Sequence, residues 1–274
     1  MTKILCYADK STAHHWEWVG AFYQGLIRHG IEVALLPRRE YRPSDVAVFW
    51  AMHFQSAIRT QAAHGGKIIV LERGFIDRMD FASVGWGGIC GHADFCNQGA
   101  GPDRYASYFS GRMQPWHDRP DGPVIVAGQV PGDASCRDLD ERAWLARVAD
   151  HFAGSGRKVI YRPHPEVMKR QPQRAEQIAG GLEVSTGALH EDLSRASEVV
   201  TWSSNVAVDA TMAGVPCVAQ SSHSMLWGHA AAEPGESKPF DRRAWACRIA
   251  NAQWTVHEIA EGIAWDQLKR GLED

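Results

Sequence analysis

The chain has 274 residues, of which 45% are hydrophobic and 22% charged, and its formal net charge is −3. This length and this apolar content suffice for one large domain or two ordinary ones. The near-neutral balance provides no overall positive field, so nucleic-acid binding would need a local basic patch. No run reaches the roughly 20 apolar residues of a membrane span, and we therefore expect no membrane span and a cytoplasmic location.

Short apolar strands alternate with helical patterns from the start of the chain, which is typical of repeated βα units and a mostly parallel sheet. The pattern forms two series. In the first, the predicted strands are 3–8, 32–36, 46–50 and 67–72, and the predicted helices are 16–29 and 54–64.

Between the two series, residues 73–121 are rich in glycine and aromatic residues, with one predicted helix at 102–113. Long irregular segments in compact proteins are often functional. The six cysteines include no CxxC pair, which indicates reduced thiols. Cys90, His92 and Cys96 lack a fourth ligand and match no usual zinc spacing, so we expect no metal site.

The second series begins at Pro123. Its predicted strands are 123–128, 158–162, 182–185, 198–202 and 216–220, and its predicted helices are 139–152, 174–179, 190–196 and 206–213. Two more helices are predicted at 241–253 and 256–272, the latter opened by a capping box of Thr255 and Glu258.

These series predict an α/β fold with two Rossmann-like domains. We expect an N-terminal domain at 1–118, a second domain at 119–250, and a C-terminal helix at 251–274. The C-terminal helices are expected to pack back on the N-terminal domain.

Polar residues directly follow several predicted strands of the second series, at the edge where open α/β sheets bind ligands. The strand 158–162 ends at Arg162, the first residue of the run Arg-Pro-His-Pro. The two prolines of this run stiffen the backbone. The fork of Arg162 suits phosphate oxygens, and His164 can donate to phosphate or protonate a leaving group. The alternative for Arg162 is a surface ion pair at a rigid strand exit.

The run Ser203, Ser204 and Asn205 stands between a predicted strand and a helix. Because the N-terminus of a helix attracts phosphate, this run is a candidate for donor binding. Asp209, one turn later, can hold a ribose hydroxyl. Plain helix capping is the alternative for these residues.

A third polar segment follows the strand 123–128. Gln129, Asp133 and Ser135 offer polar contacts, and Gly128 and Gly132 let the backbone approach a ligand closely. Ordinary turn chemistry is the alternative.

The order Gly-Gln-x-x-x-Asp-x-Ser, Arg-x-His-Pro and Ser-Ser-x-x-x-x-Asp-Ala-x-x-x-Gly-x-Pro resembles the capsule-polysaccharide (Kdo-transferase-like) branch of the glycosyltransferase-B fold over 124–219. In that family the His-Pro and serine motifs bind the phosphates of a nucleotide-sugar. The resemblance implies a glycosyltransferase with a nucleotide-sugar co-substrate. We expect a metal-independent enzyme, in which Arg162, His164 and the helix start at 203–205 stabilise the nucleotide phosphates in place of a metal.

The segments 72–75, 83–88, 91–95 and 253–255 are similar to glycosyltransferase-like proteins of bacteriophages. That resemblance implies a hydroxymethylated pyrimidine in phage DNA as acceptor and the host cytoplasm as location. Trp86, Phe95 and Trp116 are then candidates to stack on an extruded base, and Arg73 is a candidate phosphate contact.

Direct displacement at a sugar carbon needs a base for the proton of the acceptor hydroxyl. Within 72–97 we expect Asp94 in this role, with His92, Asp77 and Glu72 as further candidates. Loop carboxylates or ion pairs are the alternative for each. The pair at 14–15 follows the first strand, where it can contact acceptor or donor or be simply solvated.

Other functions remain open. They are a glycosyltransferase acting on a capsule-like polysaccharide or lipid-glycan, a nucleotide-sugar epimerase or hydrolase of the same fold, and a nucleotide- or glycan-binding module.

Overall fold

The structure is a computed structural model that describes residues 2–117, 119–237 and 240–272. The chain divides into two compact units, Met1–Phe109 with Arg243–Asp274, and Ser110–Arg242. The predicted boundaries, after residues 118 and 250, differ from these divisions. The helix near residue 245 belongs to the first unit because the side chain of Asn97 donates to the carbonyl of Arg248 at 2.8 Å.

Eleven strands and eleven α-helices form the described parts of the chain. The strands are β1 Ile4–Tyr7, β2 Val33–Leu36, β3 Val46–Trp50, β4 Lys67–Arg73, β5 Ala82–Trp86, β6 Val124–Ala127, β7 Val159–Arg162, β8 Glu183–Val184, β9 Glu198–Thr201, β10 Cys217–Ala219 and β11 Gln253–Trp254. The helices are α1 Ala13–Arg28, α2 Gln55–Ala63, α3 Asp103–Phe109, α4 Glu141–Phe152, α5 Pro165–Arg170, α6 Pro172–Ala179, α7 Leu189–Arg195, α8 Val206–Met212, α9 Arg242–Ala250, α10 Val256–Ala260 and α11 Ile263–Leu268.

The sheet of the first unit has the strand order β11-β5-β4-β3-β1-β2. Strands β2, β1, β3 and β4 are parallel, and β5 runs antiparallel between β4 and β11. From β1 the chain continues to β2 on one side, whereas from β3 it continues to β4 on the other. The order therefore reverses between β1 and β3, and such switch points are where open α/β sheets bind ligands.

The C-terminal helices α10 and α11 share one apolar core with α1 and the first sheet, as predicted. Phe22 and Leu26 of α1 are buried in this core with Ile259 and Trp265. Gly25 makes the packing possible, because a β-carbon there would overlap the carbonyl oxygen of Ile259.

The predicted capping box at the start of α10 is confirmed. The hydroxyl of Thr255 accepts from the Glu258 amide at 3.2 Å, and the Glu258 carboxylate accepts from the Thr255 amide at 2.8 Å. Arg104 donates to the same carboxylate from both terminal guanidinium nitrogens, from Nη1 at 2.5 Å and from Nη2 at 2.7 Å. Burial alone would raise the pKa of Glu258, but these hydrogen bonds hold it below its ordinary value.

The sheet of the second unit is fully parallel, with the order β10-β9-β6-β7-β8. The chain continues from β6 to β7 on one side and from β9 to β10 on the other. Its switch point therefore lies between β6 and β9. Val124, Ile125 and Val126 of β6 are fully buried, as expected for a central parallel strand covered on both faces.

Three short elements escaped prediction. Strand β5 lies inside the segment predicted as irregular, and β11 replaces the end of a predicted helix. Helix α5 follows directly on the Arg-Pro-His segment. The predicted helix 256–272 is interrupted at Gly262, whose φ is +86°. No helix in the described ranges combines the length and the apolar character that crossing a membrane requires, and all six cysteines are free thiols.

Candidate functional site

Three predicted donor-binding residues meet at the switch point of the second sheet. The hydroxyl oxygen of Ser203, after β9, lies 3.2 Å from Gln129 Oε1, after β6. It also lies 3.1 Å from both the carbonyl and the hydroxyl oxygen of Ser135. The first and last of these residues are 74 positions apart in the chain, so the fold itself assembles the cluster.

Glu141, the first residue of α4, stabilises this cluster through hydrogen bonds. Its Oε1 accepts from the backbone amide of Gln129 at 2.8 Å and from the Tyr161 hydroxyl at 2.9 Å. Burial raises the pKa of Glu141, although both hydrogen bonds oppose the shift. Gln129 Nε2 and Glu141 Oε2 are buried and have no hydrogen-bond partner in the described part of the chain. Glu141 was not among the predicted site residues, although a carboxylate at a helix start just after the Gly-Gln segment is a signal for it.

Gly128 has a different role from the one we expected. A β-carbon at this position would lie 2.7 Å from the Tyr161 hydroxyl and 2.8 Å from Glu141 Oε1. The space beside its backbone is therefore filled by these two side chains. Glycine is needed here for internal packing and not for the approach of a ligand.

His164 caps the N-terminus of α5. Its Nδ1 accepts from the backbone amide of Glu166 at 3.1 Å. An accepting Nδ1 carries no proton, so the neutral ring carries its proton on Nε2. The side chain is partly exposed and lies at the exit of β7.

Arg162 forms an ion pair, which is the alternative to phosphate binding, but the pair is largely buried and not at the surface as expected. Its Nη1 contacts Asp192 Oδ2 at 2.6 Å, and the two side chains are 14% and 2% exposed. Asp192 also accepts from Ser185 at 2.5 Å and from Arg195 at 2.7 Å. Burial alone would raise the pKa of Asp192, but these donors hold it below its ordinary value. We therefore leave Arg162 out of the donor-binding set.

The remaining predicted donor residues lie around the start of α8 and in the loop after β6. Ser204 Oγ accepts from the Val206 amide at 3.3 Å, which is a local turn contact. Asn205 Nδ2 donates to Asp209 Oδ2 at 3.4 Å. Asp133 is exposed. Ser204, Asn205 and Asp209 are partly exposed, so they stay candidates for ligand contact.

The structure separates the four candidate bases of the first unit. Glu72 lies near the carboxyl end of β4, and Asp77 follows in the next loop with a φ of +49°. Strand β5 runs back, and Trp86 at its end pairs with Ile69 near the start of β4. Asp94 in turn bridges Trp86. Asp94 and its neighbour at position 92 therefore lie at the amino ends of the parallel strands, at the opposite edge from Glu72.

Asp94 lines a cavity of about 540 Å³ at that edge, together with Lys67 and Gly271. Its carboxylate accepts from the amide of Cys96 at 2.8 Å. Open α/β sheets bind ligands at the carboxyl ends of their strands. The structure thus places our first-choice base away from the expected edge, and His92 with it.

Trp86 and Phe95 are core residues and not stacking surfaces, which corrects the expected acceptor contacts. They are 7% and 6% exposed. The indole of Trp86 donates to the carbonyl of Leu268 at 2.9 Å, and Phe95 packs edge-to-face on Phe75. Both rings would have to leave the core to stack on a base. Arg73 lies over the ring of Trp50, 5.8 Å from its centroid.

Metal ligands do not cluster in the described ranges. No group of three or more His, Cys, Asp or Glu side chains there has the geometry to hold a metal ion.

Searches of protein-family models and of curated proteins found no match. Solved structures are similar over nearly the whole chain. The KpsC β-Kdo 2,7 transferase of Thermosulfurimonas dismutans has a TM-score of 0.57 and 17% identity, and the alignment covers 99% of this chain and 100% of that one. The β-Kdo 2,4 transferase of KpsC from the same organism has a TM-score of 0.57 and 14% identity, with 92% and 90% covered.

This chain has the glycosyltransferase-B fold. The predicted fold class, with two Rossmann-like domains, is therefore confirmed. At these identities the likeness establishes the fold, and the chemistry has to be argued from the residues of this chain.

Proposed function

We propose that this chain is a glycosyltransferase that binds a nucleotide-sugar at the carboxyl edge of the second sheet and passes the sugar to a hydroxyl acceptor. The observation that carries the proposal is the contact of Ser203 with Gln129 and Ser135. Two segments that are distant in the chain place these polar side chains at the switch point. That is where doubly wound sheets bind nucleotides.

The donor phosphates lie, in this proposal, against Ser204, Asn205 and the Nε2–H of His164. Ser203, Gln129 and Ser135 form the layer below and fix the two loops. As the bond from the anomeric carbon to the phosphate oxygen breaks, negative charge develops on that oxygen. Preorganised hydrogen-bond donors stabilise such charge and lower the barrier.

We propose further that transfer needs no divalent metal. The fixed N–H donors of the site take the place that a cation has in other sugar transferases. The expected result is full activity in excess EDTA. Loss of activity in EDTA, restored by Mg²⁺ or Mn²⁺, would overturn this part of the proposal.

For the acceptor we favour a hydroxyl of a glycan, such as a capsule-like polysaccharide or a lipid-glycan, over a hydroxymethylated base in DNA. Two of the aromatic rings expected to stack on an extruded base, Trp86 and Phe95, are buried. Base-flipping enzymes need such rings to be accessible. The two similar structures are named as Kdo transferases, which makes an acidic sugar the first donor to try.

The test is mass spectrometry after incubation with a panel of nucleotide-sugars and either glycan acceptors or hydroxymethylpyrimidine DNA. A mass gain of one sugar on a glycan supports the proposal, and a gain on the DNA alone would replace the glycan by DNA. Release or isomerisation of the sugar without any acceptor would indicate a hydrolase or epimerase. If none of the nucleotide-sugars were transferred, hydrolysed or isomerised, the result would contradict the proposal that this chain is an enzyme.

A matched pair of variants ties the activity to the site. Ser203→Ala removes the hydroxyl that joins the two loops, and one lost buried hydrogen bond costs about 1–3 kcal/mol, or roughly a 5- to 150-fold loss of donor affinity. Ser194→Ala, on the exposed face of α7 in the same unit, is the control and should bind like the parent. Equal affinities of both variants would contradict the assignment.

A further inference from the structure

Two adjacent histidines lie at the switch point of the first sheet, where no predicted catalytic residue was placed. His14 and His15 lie in the first turn of α1, the helix that follows β1. Their rings meet edge-to-face at 4.3 Å, and both contact the indole of Trp50 at the end of β3, at 5.5 and 5.8 Å. The pair therefore lies over the reversal between β1 and β3, as Ser203 and Gln129 do in the second sheet.

Arg38, just after β2, fixes the orientation of His15. Its Nη2 donates to His15 Nδ1 at 2.8 Å, and the carboxylate of Asp9, after β1, accepts from the Arg38 amide at 3.1 Å. Because Nδ1 accepts, the neutral ring of His15 carries its proton on Nε2. Residues at the exits of two strands, β1 and β2, thus hold one imidazole in one tautomer.

The exit of β3 carries backbone strain at the same place. Ala51, which follows Trp50, has a φ of +57°, a conformation that residues other than glycine seldom adopt. Its amide donates to the carbonyl of Leu71 at 2.7 Å, which fixes the turn. Strain of this kind concentrates at functional sites, and here it coincides with the histidine pair.

His14 is the member of the pair that is available to a ligand. Its ring is partly exposed, and its contacts within the described residues are with the rings of His15 and Trp50. Neither of its nitrogens takes part in a hydrogen bond with a described residue. A neutral imidazole in this setting has an open lone pair at the ligand edge.

We propose that His14 is the general base that takes the proton of the acceptor hydroxyl, and that His15, held by Arg38 and Asp9, positions it. The inference rests on the proposed function. The acceptor O–H bond breaks and its proton moves to a ring nitrogen of His14. The oxygen forms a bond to the anomeric carbon of the donor, and the bond from that carbon to the phosphate oxygen breaks with its electron pair on the phosphate.

The charges around the pair keep both rings neutral at neutral pH. Burial, and next the charge of Arg73 at the end of β4, lower the pKa of His14, while Glu17 on α1 opposes them. Burial, Arg38, His14 and His53 lower the pKa of His15 to about 4, with Asp9 opposing. A histidine that stays unprotonated at neutral pH is ready to accept a proton.

The experiment measures transfer, donor affinity and their pH dependence in the full chain. His14→Ala should lower kcat by about 10²- to 10⁴-fold, the usual share of a general base, with unchanged donor affinity and partial rescue by added imidazole. His64→Ala, an exposed histidine after α2, is the matched control and should match the parent.

Glu17→Gln provides a second, milder variant that leaves the ring in place. Glu17 raises the pKa of His14, so its neutralisation should move the acid limb of the kcat profile to lower pH and leave the plateau unchanged. A parent that transfers sugar while His14→Ala keeps kcat within about threefold would overturn the inference alone. A parent that binds no nucleotide-sugar would overturn the proposed function, and the inference with it.

Discussion

The ion pair of Arg162 and Asp192 separates a structural from a ligand-binding role at the exit of β7. The two side chains are 14% and 2% exposed and lie 2.6 Å apart. Removing one partner of a buried pair costs about 3–5 kcal/mol. In Arg162→Ala the carboxylate keeps its bonds from Ser185 and Arg195, so we expect the lower part of that range, about 3–4 kcal/mol in the free energy of unfolding.

Urea unfolding followed by circular dichroism measures this loss, and the parallel donor titration shows whether binding changes. Arg142→Ala, at an exposed position of α4, is the control and should stay within about 0.5 kcal/mol of the parent. If Arg162 binds phosphate instead, its alanine variant will keep the stability of the parent and lose donor affinity. That combination would refute the argument from the buried pair.

Three further changes test the packing around the sites. Gly128→Ala places a β-carbon against two side chains and should cost about 1–3 kcal/mol and weaken donor binding, whereas Gly154→Ala, in open space, should be neutral in both assays. Thr255→Ala should lower the free energy of unfolding by about 1 kcal/mol through loss of the cap, and an unchanged urea midpoint would contradict the capping box. Hydrogen bonds hold the pKa values of Asp192 and Glu258 below their ordinary ones. Their stabilisation should therefore be complete above the unfolded pKa of about 4 and be lost as the pH falls through the folded values, which acid titration of the unfolding free energy measures.

The arrangement of the proposed donor residues was predictable because its signals are local. A β-branched run that stops at Ser203 or Gln129 marks a strand exit, and exits of parallel strands share one edge. From that rule alone we expected the two residues to lie close together, and their side-chain oxygens are 3.2 Å apart. The partner of Arg162 was not predictable, since Asp192 lies 30 residues further along the chain.

The candidate bases were placed less well because strand direction is not a local property. Asp94 and Glu72 stand in one glycine-rich segment, but β5 runs antiparallel to β4 and carries Asp94 to the opposite edge. Gly85 makes β5 hard to recognise as a strand in the sequence. The absence of a β-carbon at this position makes room for Phe95. Only the pairing of β5 with its neighbours reveals this arrangement.

Hydrogen exchange of the full chain with and without a nucleotide-sugar tests the central claim most directly, because it maps the donor without assuming an acceptor. A saturating donor should slow exchange in the segments 128–136 and 202–206, which contain Gln129, Ser135 and Ser203. Ser203→Ala should require a higher donor concentration for the same protection. Protection confined to other segments under saturating donor would contradict a nucleotide-sugar site at the switch point of the second sheet.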